Sequence, residues 1–163
     1  MKTLVNGIAA VDSTITNFDG KWWMFLVIQD RNPMENLFLW FADDLLGEWR
    51  PHFNNPVKID VTSARPGGTP FQKEGVLYRP AQDCGKSYGS AIAINRIDEI
   101  SVRRFRESVV KRIYPCRLSG YQDGFHMISG FRDITVVDGR TYRFVFGEFV
   151  HQLKKKLFAN RIT

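Results

Sequence analysis

The side chains best suited to chemistry are concentrated between residues 64 and 94. This stretch holds an Arg-Pro-Gly-Gly turn at 65–68, a Gln-Asp-Cys-Gly turn at 82–85, and two arginines, Arg65 and Arg79, each followed by proline. Tight turns that hold polar side chains at strand ends are a common way to build a site on a β scaffold. The Arg65 guanidinium offers forked donors to a carboxylate, a phosphate or hydroxyl groups, or else forms a structural salt bridge. Gly67 and Gly68 let the backbone approach a ligand, or simply make the turn. Gln82 and Asp83 can reach a ligand or tie neighbouring elements together. Tyr88 can stack on a ring or fill the core.

Several chemistries have no support. The three histidines, His52, His126 and His151, are scattered, and neither they nor Cys84 and Cys116 have zinc-ligand spacing. No phosphate-binding glycine loop followed by Lys-Ser/Thr occurs, nor a Gly-x-Ser-x-Gly nucleophile elbow. No metal and no cofactor are expected. The net charge of +6 has clusters at Arg103, Arg104, Arg106 and Lys154–Lys156. These can attract an anionic partner or be a solvated strand face and tail. No nucleic-acid motif accompanies them, so no nucleic-acid partner is expected.

The 163 residues suffice for one substantial core, and length suggests one domain. The longest apolar run, residues 22–28, is far short of the ~18 needed for a membrane span. The N-terminus lacks a continuous apolar segment, so no signal peptide is expected. Two cysteines make no disulfide framework and are read as reduced thiols, which places the chain in the cytoplasm.

The elements that must position these side chains read as strands. Residues 22–29 and 36–42 are apolar at nearly every position and rich in β-formers. Continuous apolarity means both faces are covered. An acid-Gly-x-x-aromatic turn recurs at Asp19-Gly20, Glu74-Gly75 and Asp138-Gly139. Around it the chain divides into units at about 9–57, 62–114 and 120–148, with a basic tail at 149–163. The third unit reads as strands at 125–129, 134–137 and 141–146, the last two joined by an Asp138-Gly139 hairpin. Residues 101–113 read as one long strand, and 151–158 as a short helix or a tail. Each unit has the strand content of one propeller blade. The predicted fold is all-β: a partial β-propeller of the five-bladed type, with about three four-stranded antiparallel blades. Three blades do not close a ring, so either further blades or self-association is expected to cover the open faces.

An ordered set of motifs then carries a resemblance. Val11-Asp12-Ser13-Thr14-Ile15, Leu46-Gly47-Glu48-Trp49-Arg50-Pro51-His52, Asn55-Pro56, Ala64-Arg65 with Gly67-Gly68, and Leu77-Tyr78-Arg79 followed by Gln82-Asp83-Cys84-Gly85 and Tyr88-Gly89 occur in one order. Together they resemble the N-terminal domain of glucosamine inositolphosphorylceramide transferases and its bacterial relatives, a domain similar to the propellers of family 43 glycosidases. The match is good over residues 9–107 and looser over 124–146. The resemblance implies that this chain corresponds to the last three of five blades. The blade expected to carry the catalytic base, and the family's glycosyltransferase domain, have no counterpart. Pro66 departs from the asparagine that plant relatives tend to have.

The resemblance also places side chains at the propeller axis, where related glycosidases bind sugar. It puts Asp12 where they keep a general acid, a role that needs a carboxylate raised in pKa by burial. Asp12 can equally be a hydrogen-bond acceptor that orders its own turn. Arg65 begins the second unit's inner strand, and Gln82 and Tyr88 lie at the turn beside it. His126 begins the third unit's inner strand, where Phe125 replaces one histidine of a pair found in the plant relatives. Two functions follow. One is a carbohydrate-recognition module that binds a sugar or sugar phosphate through Asp12, Arg65, Gln82, Tyr88 and His126. The other is a glycoside-processing enzyme active only when the missing blades come from another segment or chain. A truncated remnant with no role of its own is the third reading.

Overall fold

Strand β1 (Ala10–Phe18) runs into Asp19-Gly20 and returns as β2 (Lys21–Ile28). Both turn residues have positive φ, 51° and 71°. That pair of dihedrals makes the tight primed turn whose twist matches the strands it joins. β3 (Asn36–Ala42) pairs with β2, and the two-residue strands β4 (Arg50–Pro51) and β5 (Lys58–Ile59) pair with opposite ends of β3. A second sheet repeats the plan: β6 (Phe71–Lys73), β7 (Val76–Asp83), β8 (Ala91–Ile100) and β9 (Phe105–Ile113) are antiparallel neighbours in that order. Glu74-Gly75 joins β6 to β7 with φ of 54° and 76°, the same turn again. A third, two-stranded sheet is made of β10 (Ile128–Phe131) and β11 (Ile134–Val137). These elements come from a computed structural model, which describes residues 2–116 and 120–143. Among the described residues there is no helix. The described residues are all-β, as the sequence predicts.

The first two units are up-and-down meanders stacked face to face, which is how neighbouring propeller blades pack. Strand β2 shows why. Its side chains alternate between two cores, and six of its eight residues are buried. Trp23 and Phe25 point toward the second sheet and join Leu39, Phe41, Leu77 and Ile97 in the core between the sheets. Met24, Leu26 and Ile28 face the other way, where Trp40, Trp49, Leu45 and the N-terminal Leu4, Val5 and Ile8 cover them. Burying each such side chain contributes roughly 1.5–3 kcal/mol. A strand with no wet face therefore gains on both sides, which favours sheet over helix in so short a run.

A buried ion pair lies inside this stack. Arg79 on β7 is fully buried, and its guanidinium meets the equally buried carboxylate of Glu107 on β9 at 2.5 and 3.0 Å. Lys58 on β5 donates to the same carboxylate at 2.9 Å. The pair pins the second sheet to the connector from the first.

The third unit departs from expectation. Asp138-Gly139 is not a hairpin: Arg132-Asp133 connects β10 to β11, with Arg132 at φ 54°. Asp138 follows the end of β11 and accepts hydrogen bonds from the backbone N–H groups of His126 and Met127 at 2.9 and 2.8 Å. An Asp-Gly pair turns a hairpin only when strands pair on both sides of it. Here the next residues, 141–143, are not in a strand, and the remainder of the expected strand at 141–146 lies outside the described residues. The expected strand at 125–129 begins only at Ile128. Two strands, not four, make up this unit among the described residues. The expected strand 101–113 is likewise shorter at its start, because the Ser101 hydroxyl and N–H fold onto the backbone of Arg104 to make the β8–β9 turn. The tail at 149–163, with Lys154–Lys156 and the expected helix or tail at 151–158, lies outside the described residues.

His52 closes the first unit and gives a pH-dependent prediction. The ring is 3% exposed. Its Nε2 donates to the Ser101 carbonyl at 3.0 Å, and its Nδ1 accepts from the Asn54 N–H at 3.1 Å. One donor and one acceptor make the ring neutral. Burial pushes its pKa below the ordinary value, with the Ser101 carbonyl partly opposing. A lowered native pKa means the unfolded chain binds more protons, so stability rises with pH through this window. The His52 contribution is complete above the unfolded value, about 6.5, and is lost as pH falls toward the native one. Urea midpoints measured from pH 7.5 to 5.5 are expected to fall, and His52→Gln is expected to flatten the slope. An unchanged slope in that variant would remove His52 as the cause.

Candidate functional site

Asp12 reaches the site because β1 is irregular there. Val11 pairs with Val27 and Thr14 with Phe25, so Asp12 and Ser13 together oppose the single residue Leu26. This is a β-bulge, a device that re-aims a side chain. Asp12 also has φ of 51°, a left-handed conformation that aspartate tolerates better than most residues.

Arg65 arrives from the opposite side. Its carbonyl accepts from the Gln82 N–H at 2.8 Å, which stitches the 65–67 segment onto β7. Gly67 continues that contact so closely that an added Cβ would lie 2.8 Å from the Ala81 carbonyl carbon. Arg65 is 7% exposed. Its Nε donates to Asp12 Oδ2 at 2.7 Å, its Nη1 to the Pro33 carbonyl at 3.1 Å, and its guanidinium covers the Tyr88 ring at 5.0 Å. Gln82 donates from Nε2 to the same Asp12 oxygen at 3.0 Å and to the Pro66 carbonyl at 2.8 Å. Those two acceptors settle which end of the amide is nitrogen. Its Oε1, with the Thr14 hydroxyl, is a buried polar atom without a partner among the described residues.

The third unit completes the enclosure. The ring of His126 meets Tyr88 edge to face at 5.2 Å, and its Nδ1 is bound by Asp138 Oδ2. Gly89 permits this approach: at φ 57°, an added Cβ would lie 2.3 Å from His126 Cβ. The result is a cavity of about 290 Å³ whose walls include Asp12, Thr14, Gly68, Gln82, Tyr88 and His126. That is near the lower end for small-molecule sites, which start around 300 Å³. Each of the three sheets supplies part of the wall.

The five side chains that the resemblance placed at the axis thus come together. Asp12, Gln82, Tyr88 and His126 line the cavity, and Arg65 lies behind Asp12 and Tyr88. Asp83 lies apart, bound to Arg112 at 2.5 Å and to the Gly85 N–H at 3.0 Å, a tie from the end of β7 to β9 across the intervening β8. Sequence reasoning missed Asp138, which it treated as a turn residue, and the hydroxyls of Thr14, Thr69 and Ser129. No local signal marks them, since each joins the site through contacts distant in sequence. Beside the site, burial pushes the Cys84 thiol above its usual pKa, with a hydrogen bond from the Gly89 backbone partly opposing, so it is no activated nucleophile. No disulfide joins Cys84 to Cys116. Among the described residues, no group of three or more His, Cys, Asp or Glu side chains is gathered as a metal site would need.

The family model described as glucosamine inositolphosphorylceramide transferase 1, N-terminal, matches residues 2–133. The chain belongs to this family. It is 35% identical to glucosamine inositolphosphorylceramide transferase 1 of Arabidopsis thaliana over 129 residues, 75% of this chain and 16% of the relative. The transferase of the same name from Oryza sativa subsp. japonica is also 35% identical, over 102 residues, covering 60% of this chain and 14% of the relative. The chain therefore matches only about a seventh of those proteins' length. Among solved structures, the crystal structure of a family 43 beta-xylosidase/alpha-arabinofuranosidase from a compost microbial metagenome, in complex with xylotriose and calcium-free, matches at a TM-score of 0.40 and 20% identity. It covers 66% of this chain and 37% of that one. The family match spans all five of these residues, the first two sheets and β10 of the third, stopping at the turn between β10 and β11.

Proposed function

We propose that this member of the transferase N-terminal family is a carbohydrate-recognition module that holds a sugar or sugar phosphate in the cavity between its three sheets. The observation that carries this reading is the convergence of Asp12, Gln82, Tyr88 and His126 on one cavity, with Arg65 bracing it. A sugar offers hydroxyls that both donate and accept, and apolar ring faces. The walls offer a carboxylate, an amide, hydroxyls and an aromatic ring to match.

Binding is favoured over glycoside processing by the carboxylates. Glycosidases use two flanking the scissile bond, one of them a proton donor. Among the described residues that line the cavity, Asp12 is the one acidic side chain, and it is committed to accepting from Arg65 and Gln82. The enzyme reading needs a second carboxylate from another segment or chain. Self-association belongs to the same proposal: Phe131, Ile134 and Val136 are 71%, 61% and 52% exposed and offer an apolar surface to a second copy. A cytoplasmic location is proposed from the cysteine count, two residues being too few for a disulfide framework.

A glycan array probed with the wild type and Arg65→Ala is the test. Wild type is expected to give a discrete set of sugar signals. Arg65→Ala is expected to weaken them at least about tenfold, because Asp12 and Tyr88 lose the group that orients them. An array blank for the wild type would remove the carbohydrate reading.

A further inference from the structure

We propose that Asp138 is a positioning residue that fixes the tautomer of His126, so that His126 Nε2 presents an acceptor lone pair to the ligand and the cavity selects an uncharged sugar over a phosphorylated one. This rests on the carbohydrate reading and narrows it.

The argument begins with Asp138. Its Oδ1 accepts two backbone N–H groups, from His126 and Met127. Its Oδ2 meets the Nδ1 of the His126 ring. The carboxylate is therefore clamped to the backbone at the position of the histidine it serves. An ionised carboxylate only accepts, so Nδ1 carries a ring proton, and in the neutral ring Nε2 keeps its lone pair. Aspartate holding a histidine by Nδ1–H is the general arrangement for fixing both its tautomer and its orientation. The ring plane is held a second way by its edge-to-face contact with Tyr88. The ring remains 40% exposed and lines the cavity.

The remaining wall has the same polarity. Asp12 presents a carboxylate whose two bonds both fall on Oδ2. Arg65 stands behind this wall and is paired with Asp12 at 2.7 Å. Neither lysine nor arginine is among the described residues lining the cavity. Two acceptors, Asp12 and His126 Nε2, ask for a ligand that donates, and sugar hydroxyls do. A phosphate group brings negative charge toward the Asp12 carboxylate and has few protons to donate, so it is disfavoured at this wall.

Asp138→Asn tests the device with little change of shape. The asparagine oxygen keeps the two backbone bonds, while its NH₂ faces Nδ1 and requires that nitrogen to accept. The ring proton then moves to Nε2, and the cavity meets a donor in place of an acceptor. Histidine ring nitrogens are read by long-range proton–nitrogen spectra at pH 7.5, with His126→Gln assigning the signal. The wild type is expected to show a neutral His126 protonated at Nδ1, and Asp138→Asn the reversed pattern. The best array sugar is expected to bind Asp138→Asn about tenfold more weakly. Inorganic phosphate at millimolar concentration is expected not to displace that sugar from the wild type. A wild-type His126 that is an imidazolium, or is protonated at Nε2, overturns the proposal even if no sugar is ever found. Unchanged affinity in a tautomer-reversed variant, or displacement by phosphate, overturns it while leaving carbohydrate recognition standing. If Asp138→Asn does not fold, the wild-type spectrum, the His126→Gln affinity and the phosphate competition still decide.

Discussion

Arg79→Met is expected to cost about 3–5 kcal/mol of stability, the usual loss on breaking a buried ion pair from one side. The guanidinium is fully buried, and its donors are almost all used. Nε and Nη2 take the two oxygens of Glu107, Nη2 also takes the Ser63 carbonyl at 2.8 Å, and Nη1 takes the Ala64 carbonyl at 2.9 Å. Its Cζ lies 5.6 Å from the Phe25 ring centroid, so it also fills space in the inter-sheet core. Methionine replaces the volume and none of the bonds. Glu107, 1% exposed, then keeps only the partly exposed Lys58 as a countercharge, and two buried carbonyls lose a donor. Set against a total of roughly 5–15 kcal/mol for a domain, that loss brings the chain close to unfolding. Urea denaturation is the measurement. The double variant Arg79→Met with Glu107→Leu is expected to recover much of the loss, because replacing a whole buried pair with apolar groups is often neutral. A single-variant loss below about 1 kcal/mol would mean that water or Lys58 already carries Glu107.

The same residue shows how far the sequence could be read. Arg79 and Arg65 look alike locally, each an arginine before a proline within a turn-rich stretch. One braces a cavity wall and the other closes a core, and the difference lies in partners 53 and 28 residues away. What was legible is whatever depends on neighbours along the chain. The Asp19-Gly20 and Glu74-Gly75 turns are equivalent in φ, and the doubly buried β2 follows directly from its unbroken apolar run. Asp138-Gly139 has the same local chemistry and a different outcome, because a hairpin also needs two strands to pair across it. The five side chains that meet at the cavity were named through family resemblance, yet their geometry was not legible. Asp12 points where it does because of a register shift in β1, and no composition or period encodes that shift. The role of Asp138 was hidden for the same reason, since it serves a histidine twelve positions earlier through space.

Gly68→Ala is expected to separate the third unit from the cavity while leaving the first two sheets folded. At Gly68 φ is 138°, outside the regions open to alanine, and an added Cβ would lie 1.7 Å from the Ile128 carbonyl oxygen. That oxygen is backbone at the first residue of β10, and the Ile128 N–H already donates to the Gly67 carbonyl at 2.9 Å. No rotamer can relieve the overlap, so either the 67–68 turn or the start of β10 must move. Gly67 is held against the Ala81–Gln82 backbone and the Ile92 side chain, and its N–H donates to the Pro80 carbonyl at 3.0 Å, so β10 is the part expected to yield. Its displacement carries His126, Met127 and Ser129 away from Asp12 and Gln82, and the cavity loses a wall. Strain and lost packing together are expected to cost at least about 2 kcal/mol in the docking of this unit, a population shift of more than tenfold. Sugar binding is expected to fall by at least that factor, and the Ile128 amide to lose its protection from hydrogen exchange. All four tryptophans, Trp22, Trp23, Trp40 and Trp49, lie in or beside the first sheet, so their fluorescence is expected to stay native. Gly75→Ala is the matched control: its φ is also positive, but an added Cβ there meets nothing within 4 Å. It is expected to cost only the left-handed strain of about 1–2 kcal/mol and to leave binding intact. Native affinity in Gly68→Ala, with Ile128 still protected, would show that the wall formed by the third unit is not needed to hold the ligand.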